Sequence, residues 1–165
     1  MEKRNISLKH ISLNDESQML DIVTSTVNNQ TYMLPDFARR EDAIPLFHRL
    51  IGLSNDEKRY VRGIYLDDLL IGYLNDVEID QGSIELGYIL HPDFHGRGYM
   101  TVALKKAIGE LFSQGYQEVI TGAFESNLAS IRVMQKNDMT RMEKVDLIEY
   151  RGKTHRCIYY HLRAN

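Results

Sequence analysis

The residues best suited to chemistry lie around two closely spaced glycines. Gly96 and Gly98 flank Arg97 within the run HGRGYM at 95–100, just before a segment with helical apolar spacing. The first N–H groups of a helix have no partner inside the helix, and the helix dipole places partial positive charge there. Glycines let backbone N–H groups turn inward, and an arginine adds a charge-assisted donor. The run suits a phosphate, although an ordinary strand-to-helix turn is the competing interpretation.

Other phosphate and metal sites fit this run poorly. A dinucleotide fingerprint needs a third glycine two residues further on, where Thr101 stands, and a Walker A loop would end in Gly-Lys-Ser/Thr. His91 and His95 have the spacing of a helical metal pair, but Pro92 and the glycines argue against a helix there. The sequence predicts no metal site. An unrelated nucleotide-binding domain stays open as a weaker alternative.

One carboxylate near this run could take part in proton transfer, and two polar residues mark the start of a later helix. Glu85 lies on the strand that leads to the loop, where its carboxylate either accepts a proton from a substrate or simply faces solvent or pairs with a base. Asn127 and Ser130 lie at the start of a later helix. Both residue types also cap helices, so capping is the alternative role, more so for Asn127 than for Ser130.

The elements that position these residues follow from the apolar spacing. The predicted helices are one through 21–26, capped by Asn14 or Asp15, and those at 40–54, 101–114 and 127–138. The predicted strands are 5–12, 58–68, 69–80, 83–90, 117–126, 141–152 and 154–163. A right-handed crossover over 84–126 gives one parallel pair in an otherwise mostly antiparallel sheet. The fold class is therefore mixed α+β, with helices on the faces of the sheet.

Composition narrows the class of protein. The 165 residues suit a single domain over 1–165, and the net charge of -3 gives no general attraction to nucleic acid or to an anionic membrane. No segment is suited to a signal peptide or a membrane span, so we expect a cytoplasmic protein. The single cysteine, Cys157, lies in an apolar run and is expected to be a buried thiol rather than a nucleophile.

Three segments together resemble the GCN5-related N-acetyltransferase (GNAT) superfamily, and within it the ribosomal-protein N-terminal (RimJ/RimL-like) branch. They are IELGYIL at 84–90, HPDFHGRGYMTVAL at 91–104 and NLASIRVMQKNDM at 127–139. The resemblance implies a strongly twisted sheet of about seven strands with one splayed parallel pair and about four helices. It also implies an N-acetyltransferase that moves acetyl from acetyl-CoA to a primary amine by direct transfer in a ternary complex.

The resemblance also implies roles for particular residues. The loop would wrap the CoA pyrophosphate, and the strand edge at 88–90 would pair with the pantetheine arm like an added strand. Glu85 would take the amine proton, directly or through water, and Ser130 would protonate the departing thiolate. Asn137 stands where the family has a glycine, and it would adopt the left-handed turn. The implied acetyl-CoA-binding residues are Tyr88, Ile89, Leu90, His95, Gly96, Arg97, Gly98, Tyr99, Met100, Thr101, Asn127 and Ser130.

The acceptor stays open at the level of sequence. A protein N-terminus, a polyamine or another small amine could each be the acceptor. Residues 24–40 and the turn after Asp76 are expected to shape the acceptor site. The acidic run at 76–80 could attract a cationic acceptor, or could be a solvated hairpin. A non-catalytic acyl-CoA sensor is the alternative function. The protein would be a monomer or a homodimer.

Overall fold

The computed structural model describes residues 5–165, and this part of the chain forms seven strands and four α helices. The strands are β1 (Ile6–Lys9), β2 (Val61–Leu66), β3 (Leu69–Asp80), β4 (Ser83–Leu90), β5 (Glu118–Phe124), β6 (Thr140–Tyr150) and β7 (Lys153–Arg163). The helices are α1 (Glu16–Val23), α2 (Ile44–Ser54), α3 (Tyr99–Ser113) and α4 (Leu128–Lys136). The strands form one sheet in the order β1-β2-β3-β4-β5-β7-β6. The mixed α+β prediction is confirmed.

The one parallel pair of the prediction is also confirmed. Strand β4 runs parallel to β5, in a register from Ser83↔Glu118 to Leu86↔Thr121. The β1/β2, β2/β3, β5/β7 and β6/β7 pairs are antiparallel. The helix between β4 and β5 is α3, as a parallel connection requires.

The chain divides into two compact units, the first of which comprises described residues 5–75 and 88–99. Its core contains Met19, Ile22, Phe47 and Ile89, all nearly inaccessible to solvent. Pro45 lies in the first turn of α2, the one helical position that tolerates proline. Helix α1 ends at Val23, three residues before the predicted end at residue 26, because the Thr24 hydroxyl and N–H both donate to the Leu20 carbonyl and close the last turn.

The start of α1 also differs from the prediction. The capping residue is Ser12, not Asn14 or Asp15, and it caps a short 3-10 turn over Leu13–Asp15 that precedes the helix. The Ser12 hydroxyl accepts from the Asn14 N–H at 3.2 Å, and the Asp15 carboxylate accepts from the Ser12 N–H at 2.8 Å. This reciprocal pair satisfies two donors that the start of a helix leaves unpaired.

The second unit comprises residues 76–87 and 100–165. Alternation along β4 buries Ile84 and Leu86 almost completely and leaves Glu85 between them partly exposed. Strand β5 buries Val119 in the same way, and α3 buries a stripe of Leu104, Ala107, Ile108 and Leu111. One side of this part of the sheet is therefore apolar, and Glu85 lies on the other.

Two boundaries in and near the second unit differ from the sequence prediction. Helix α3 begins at Tyr99 rather than at residue 101, so Tyr99 and Thr101 belong to its first turn. After α4, the left-handed residue is Asp138, with φ of 60°, and not Asn137. The Asn137 amide instead donates to the Val133 and Thr101 carbonyls at 2.9 and 3.2 Å. Aspartate tolerates the left-handed conformation, so the turn forms one residue later than predicted.

Cys157 is buried, as predicted, and burial raises the pKa of its thiol. A thiol held protonated is a poor nucleophile. Among residues 5–165, no helix combines the length and the apolar character that a membrane span requires.

Candidate active site

The glycine loop joins β4 to α3 in the first unit, after a 3-10 turn over Pro92–Phe94. Gly96 and Gly98 have φ of 73° and 81°, in the left-handed region that L side chains rarely adopt. Apart from the glycine itself and its two chain neighbours, no residue has an atom within 4 Å of the position that a Cβ would occupy at either glycine. The backbone conformation, rather than crowding, is therefore what requires glycine here. The space beside both glycines is open.

Hydrogen bonding within the loop separates His95 from the residues that follow it. The His95 N–H donates to the Pro92 carbonyl at 3.1 Å, and its ring Nε2 lies 2.8 Å from the Leu90 carbonyl oxygen. Among the described residues, the N–H groups of Gly96, Arg97 and Gly98 donate to no backbone carbonyl. The imidazole therefore shapes the turn, and a run of three backbone donors precedes the positive end of α3.

The end of β4 is held within the first unit. The His91 N–H donates to the Ile71 carbonyl at 2.6 Å, and Gly72 leaves room for the Ile89 carbonyl, which a Cβ would strike. The register of β4 with β5 ends at Leu86, whereas β4 itself continues to Leu90. Residues Tyr88–Leu90 therefore extend beyond the parallel ladder, as the splayed pair of the sequence prediction requires.

Glu85 lies in the second unit, in an electrostatic setting that favours its protonated form. Burial raises the pKa of the Glu85 carboxyl above its ordinary value, the Lys144 ammonium lowers it, and the carboxylates of Glu78 and Asp146 raise it. The net shift is upward. A carboxyl with a raised pKa is better matched to proton transfer near neutral pH than an ordinary surface glutamate.

A group of polar side chains that the sequence analysis did not single out lies on the β6/β7 hairpin. The Tyr159 hydroxyl donates to the Asp146 carboxylate at 2.7 Å. The Tyr159 ring lies against Gly122 of β5, where a Cβ would come within 2.7 Å of it. The Lys144 ammonium lies 3.8 Å from the same carboxylate. An irregular register between Arg141 and Val145 hides this grouping from a strict two-residue alternation.

Asn127 and Ser130 lie together at the start of α4, in the second unit. The Asn127 side-chain oxygen accepts from the Ser130 N–H at 3.2 Å, so Asn127 is the N-cap of this helix. This is the capping role that the sequence left open for it. Both side chains are partly exposed. The cap uses the amide oxygen, and a ligand contact would fall to the amide nitrogen.

Over residues 5–165, no three metal-ligating side chains come together in a cluster that could hold a metal ion. His91 uses its Nδ1 to accept from the Asp93 N–H at 3.1 Å, and its ring meets Phe94 edge to face. His95 is engaged with the Leu90 carbonyl. Each histidine of the pair therefore has a role within the turn.

A seven-stranded sheet with one parallel pair, joined through a glycine loop and a helix, defines a GNAT-type acetyltransferase. The chain belongs to the acetyltransferase (GNAT) domain family, whose sequence profile matches residues 5–140. This confirms the resemblance found in the sequence. The protein is accordingly an acetyl-CoA-dependent acetyltransferase.

Solved structures share this fold at low sequence identity. A GNAT-family acetyltransferase from Bacillus anthracis is 17% identical, with a TM-score of 0.83 and coverage of 98% of this chain and 96% of that one. RimL, a ribosomal L7/L12 α-N-protein acetyltransferase in complex with CoA, is 18% identical, with a TM-score of 0.85 and coverage of 98% and 95%. The microcin C7 self-immunity acetyltransferase MccE, in complex with acetyl-CoA and AMP, is 19% identical, with a TM-score of 0.84 and coverage of 98% and 94%. The comparisons give no support to the non-catalytic alternative.

Proposed function

We propose that this protein transfers acetyl from acetyl-CoA to a primary amine, either a protein N-terminus or a small molecule, by direct transfer in a ternary complex. The observation that carries the proposal is the glycine loop. Two left-handed glycines, and three N–H groups that have no backbone acceptor within residues 5–165, precede α3, which has 15 residues. Such an arrangement suits a pyrophosphate, and the open space beside both glycines leaves room for it.

The residues proposed to hold acetyl-CoA are those of the sequence prediction. Their hydrogen bonds suggest a particular role for each. Gly96, Arg97 and Gly98 would donate backbone N–H groups to the pyrophosphate, and the first turn of α3, with Tyr99, Met100 and Thr101, would add the helix dipole. His95 would support the loop through its bond to the Leu90 carbonyl rather than bind phosphate with its ring. Backbone groups of Tyr88, Ile89 and Leu90 would pair with the pantetheine arm.

Glu85 is proposed to accept the proton of the acceptor amine, directly or through a water. A free α-amine has a pKa of about 8, so most of it is protonated at neutral pH and must lose a proton before it attacks. The raised pKa of Glu85 reduces the difference between the pKa of the amine and the pKa of its proposed base. Bound acetyl-CoA supplies an activated thioester, and Glu85 supplies the base that the amine needs.

Ser130 is proposed to deliver or orient a proton for the departing thiolate. Its backbone N–H is fixed by the Asn127 cap at 3.2 Å, which holds the first turn of α4 in place. Asn127 would then act twice, through its oxygen as the cap and through its amide nitrogen toward the pantetheine. A backbone N–H near Ile89 or Leu90 is the proposed donor to the carbonyl oxygen as charge develops there.

The acceptor is proposed to be cationic, on the evidence of the side chains around Glu85. Glu78 and Asp146 both act electrostatically on Glu85 in the second unit, against the single ammonium of Lys144 in that group. The related fold of RimL serves an α-N-protein acetyltransferase, and that of MccE a self-immunity acetyltransferase. Peptides with a free N-terminus and polyamines are therefore the first acceptors to test.

Calorimetric titration with acetyl-CoA, with NADH and ATP as controls, tests the proposal first. We expect acetyl-CoA to bind at micromolar strength and selectively. An amine panel with a thiol-release assay then follows, in which turnover with at least one primary amine is expected. Absence of acetyl-CoA binding would overturn the proposal, and tight binding without turnover on any amine would favour an acyl-CoA sensor.

A further inference from the structure

The acidic and aromatic group beside Glu85 already holds an ammonium, which belongs to the chain itself. The Lys144 Nζ lies 4.4 Å from the centroid of the Tyr159 ring and 3.8 Å from the Asp146 Oδ2. The Tyr159 hydroxyl donates to that same carboxylate oxygen at 2.7 Å. A ring face combined with a carboxylate is a chemistry that recognises ammonium groups.

The same ammonium acts on Glu85. The charged and titratable groups that interact with the Glu85 carboxylate are Glu78 from β3, Lys144 and Asp146 from β6, and Cys157 and Tyr159 from β7. Strand β5 places the uncharged Ile120 opposite it. Lys144 is the one cation in this set. It therefore balances negative charge at the place where a protonated acceptor would have to approach its base.

Lys144 is held weakly enough to leave. Its side chain and that of Asp146 are each 47% exposed. Ion pairs with this exposure contribute little to stability, and the four-carbon stem of lysine carries much rotamer entropy. A second ammonium of comparable affinity could displace it without disturbing the strand.

We propose that the Lys144 ammonium occupies the position of the acceptor's ammonium and competes with it, an inference that rests on the proposed function. Lys144 is then a residue that determines specificity, not a catalytic one. It lowers the apparent affinity for every cationic acceptor. An acceptor with two or more ammonium groups displaces it more readily than a simple monoamine does.

Steady-state kinetics of Lys144→Met test the competition. Methionine keeps an unbranched stem and removes the charge. We expect the KM for spermidine and for a short peptide with a free N-terminus to fall about two- to fivefold, the worth of one cation–π contact. The KM for acetyl-CoA should not change. Lys153→Met removes the same charge from the exposed start of β7 and should leave both constants at wild-type values. Lys144→Arg keeps the cation and should not lower the KM for the amine.

A titration of the Glu85 carboxyl by NMR, without acetyl-CoA, reports on the site independently of turnover. The titration midpoint should rise in Lys144→Met and stay unchanged in Lys153→Met. Adding spermidine should lower it again in Lys144→Met, as the added ammonium replaces the lost one. An unchanged or higher KM for the amine in Lys144→Met, or no effect of spermidine on Glu85, overturns the inference. If the wild type acetylates no amine, the proposed function fails, while the spermidine-dependent shift still decides whether this site holds an ammonium in place of Lys144.

Discussion

The proposed anion-binding role of the glycine loop can be tested at Gly98. Its φ of 81° lies in the left-handed region, and no atom would meet an added Cβ within 4 Å. Gly98→Ala therefore adds no clash, and its whole cost is the left-handed conformation of an L residue, about 1–2 kcal/mol. The change isolates the conformation of the loop from its packing.

This cost divides between folding and binding. If the loop of the Gly98→Ala variant stays left-handed in the free protein, stability falls by the full amount, and affinity for acetyl-CoA falls only as far as the added methyl group intrudes on the pyrophosphate. If the exposed loop relaxes, binding must restore the left-handed turn, and affinity falls by the same free energy, about 5- to 30-fold. Gly96, Arg97 and Gly98 are all exposed, so relaxation is expected. We therefore predict weaker acetyl-CoA binding with a small loss of stability.

Gly115 supplies the matched control at the other end of the same helix. It has φ of 100°, and no atom lies within 4 Å of its Cβ position. Gly115→Ala should lower the free energy of unfolding in urea by about 1–2 kcal/mol and leave acetyl-CoA affinity unchanged. For both variants, calorimetry gives the change in acetyl-CoA affinity and urea unfolding gives the change in the free energy of unfolding. If Gly98→Ala matches the wild type in both measurements, the assignment of this loop is refuted.

Three further changes test the chemistry and the stability of the second unit. Glu85→Gln should reduce kcat/KM about 100-fold or more at neutral pH, with acetyl-CoA affinity unchanged, because the proposed base is lost. Ser130→Ala should lower kcat severalfold while acetyl-CoA still binds, since the proton for the thiolate must then come from water. Glu118→Gln should flatten the loss of stability in acid. Hydrogen bonds from His161 at 2.7 Å, and from Arg163 and Ser83, hold the pKa of Glu118 below its ordinary value. Its contribution is therefore present above the unfolded pKa and is lost as pH falls through the folded one.

Each of these predictions has a measurement that decides it. For Glu85→Gln the measurement is the pH dependence of kcat/KM. The fall in kcat/KM at acid pH should disappear in the variant, and a retained fall would exclude Glu85 as the base. For Ser130→Ala it is the rate at saturating substrates, and an unchanged rate would remove Ser130 from the mechanism. For Glu118→Gln it is urea unfolding between about pH 5 and pH 3, where wild type and variant should converge on acidification. Parallel curves would show that Glu118 has no such role.

Much of the fold could be predicted from the sequence because local signals agreed with one another. The apolar stripe of α3, the proline after β4 and Gly115 at the end of the helix each mark an element by its own chemistry. Boundaries were less certain where side chains compete for backbone groups. The Ser12 cap, the Thr24 closure of α1 and the left-handed Asp138 each depend on which nearby donor or acceptor is used first.

The candidate site also has some features that the sequence predicts and others that depend on tertiary contacts. The loop at 95–100 could be recognised from the sequence, since left-handed glycines before a helix are a property of consecutive residues. Glu85 was visible as a candidate, but its raised pKa depends first on burial and then on Glu78 and Asp146, which lie on other strands. Likewise, the pairing of Tyr159 with Asp146 and Lys144 arises only when β6 and β7 pair across an irregular register. The sequence by itself determined the family, the loop and the order of the elements, because these depend on residues that are neighbours in the chain. Only the tertiary structure decided the charges around Glu85, because they come together through strands that are far apart in the chain.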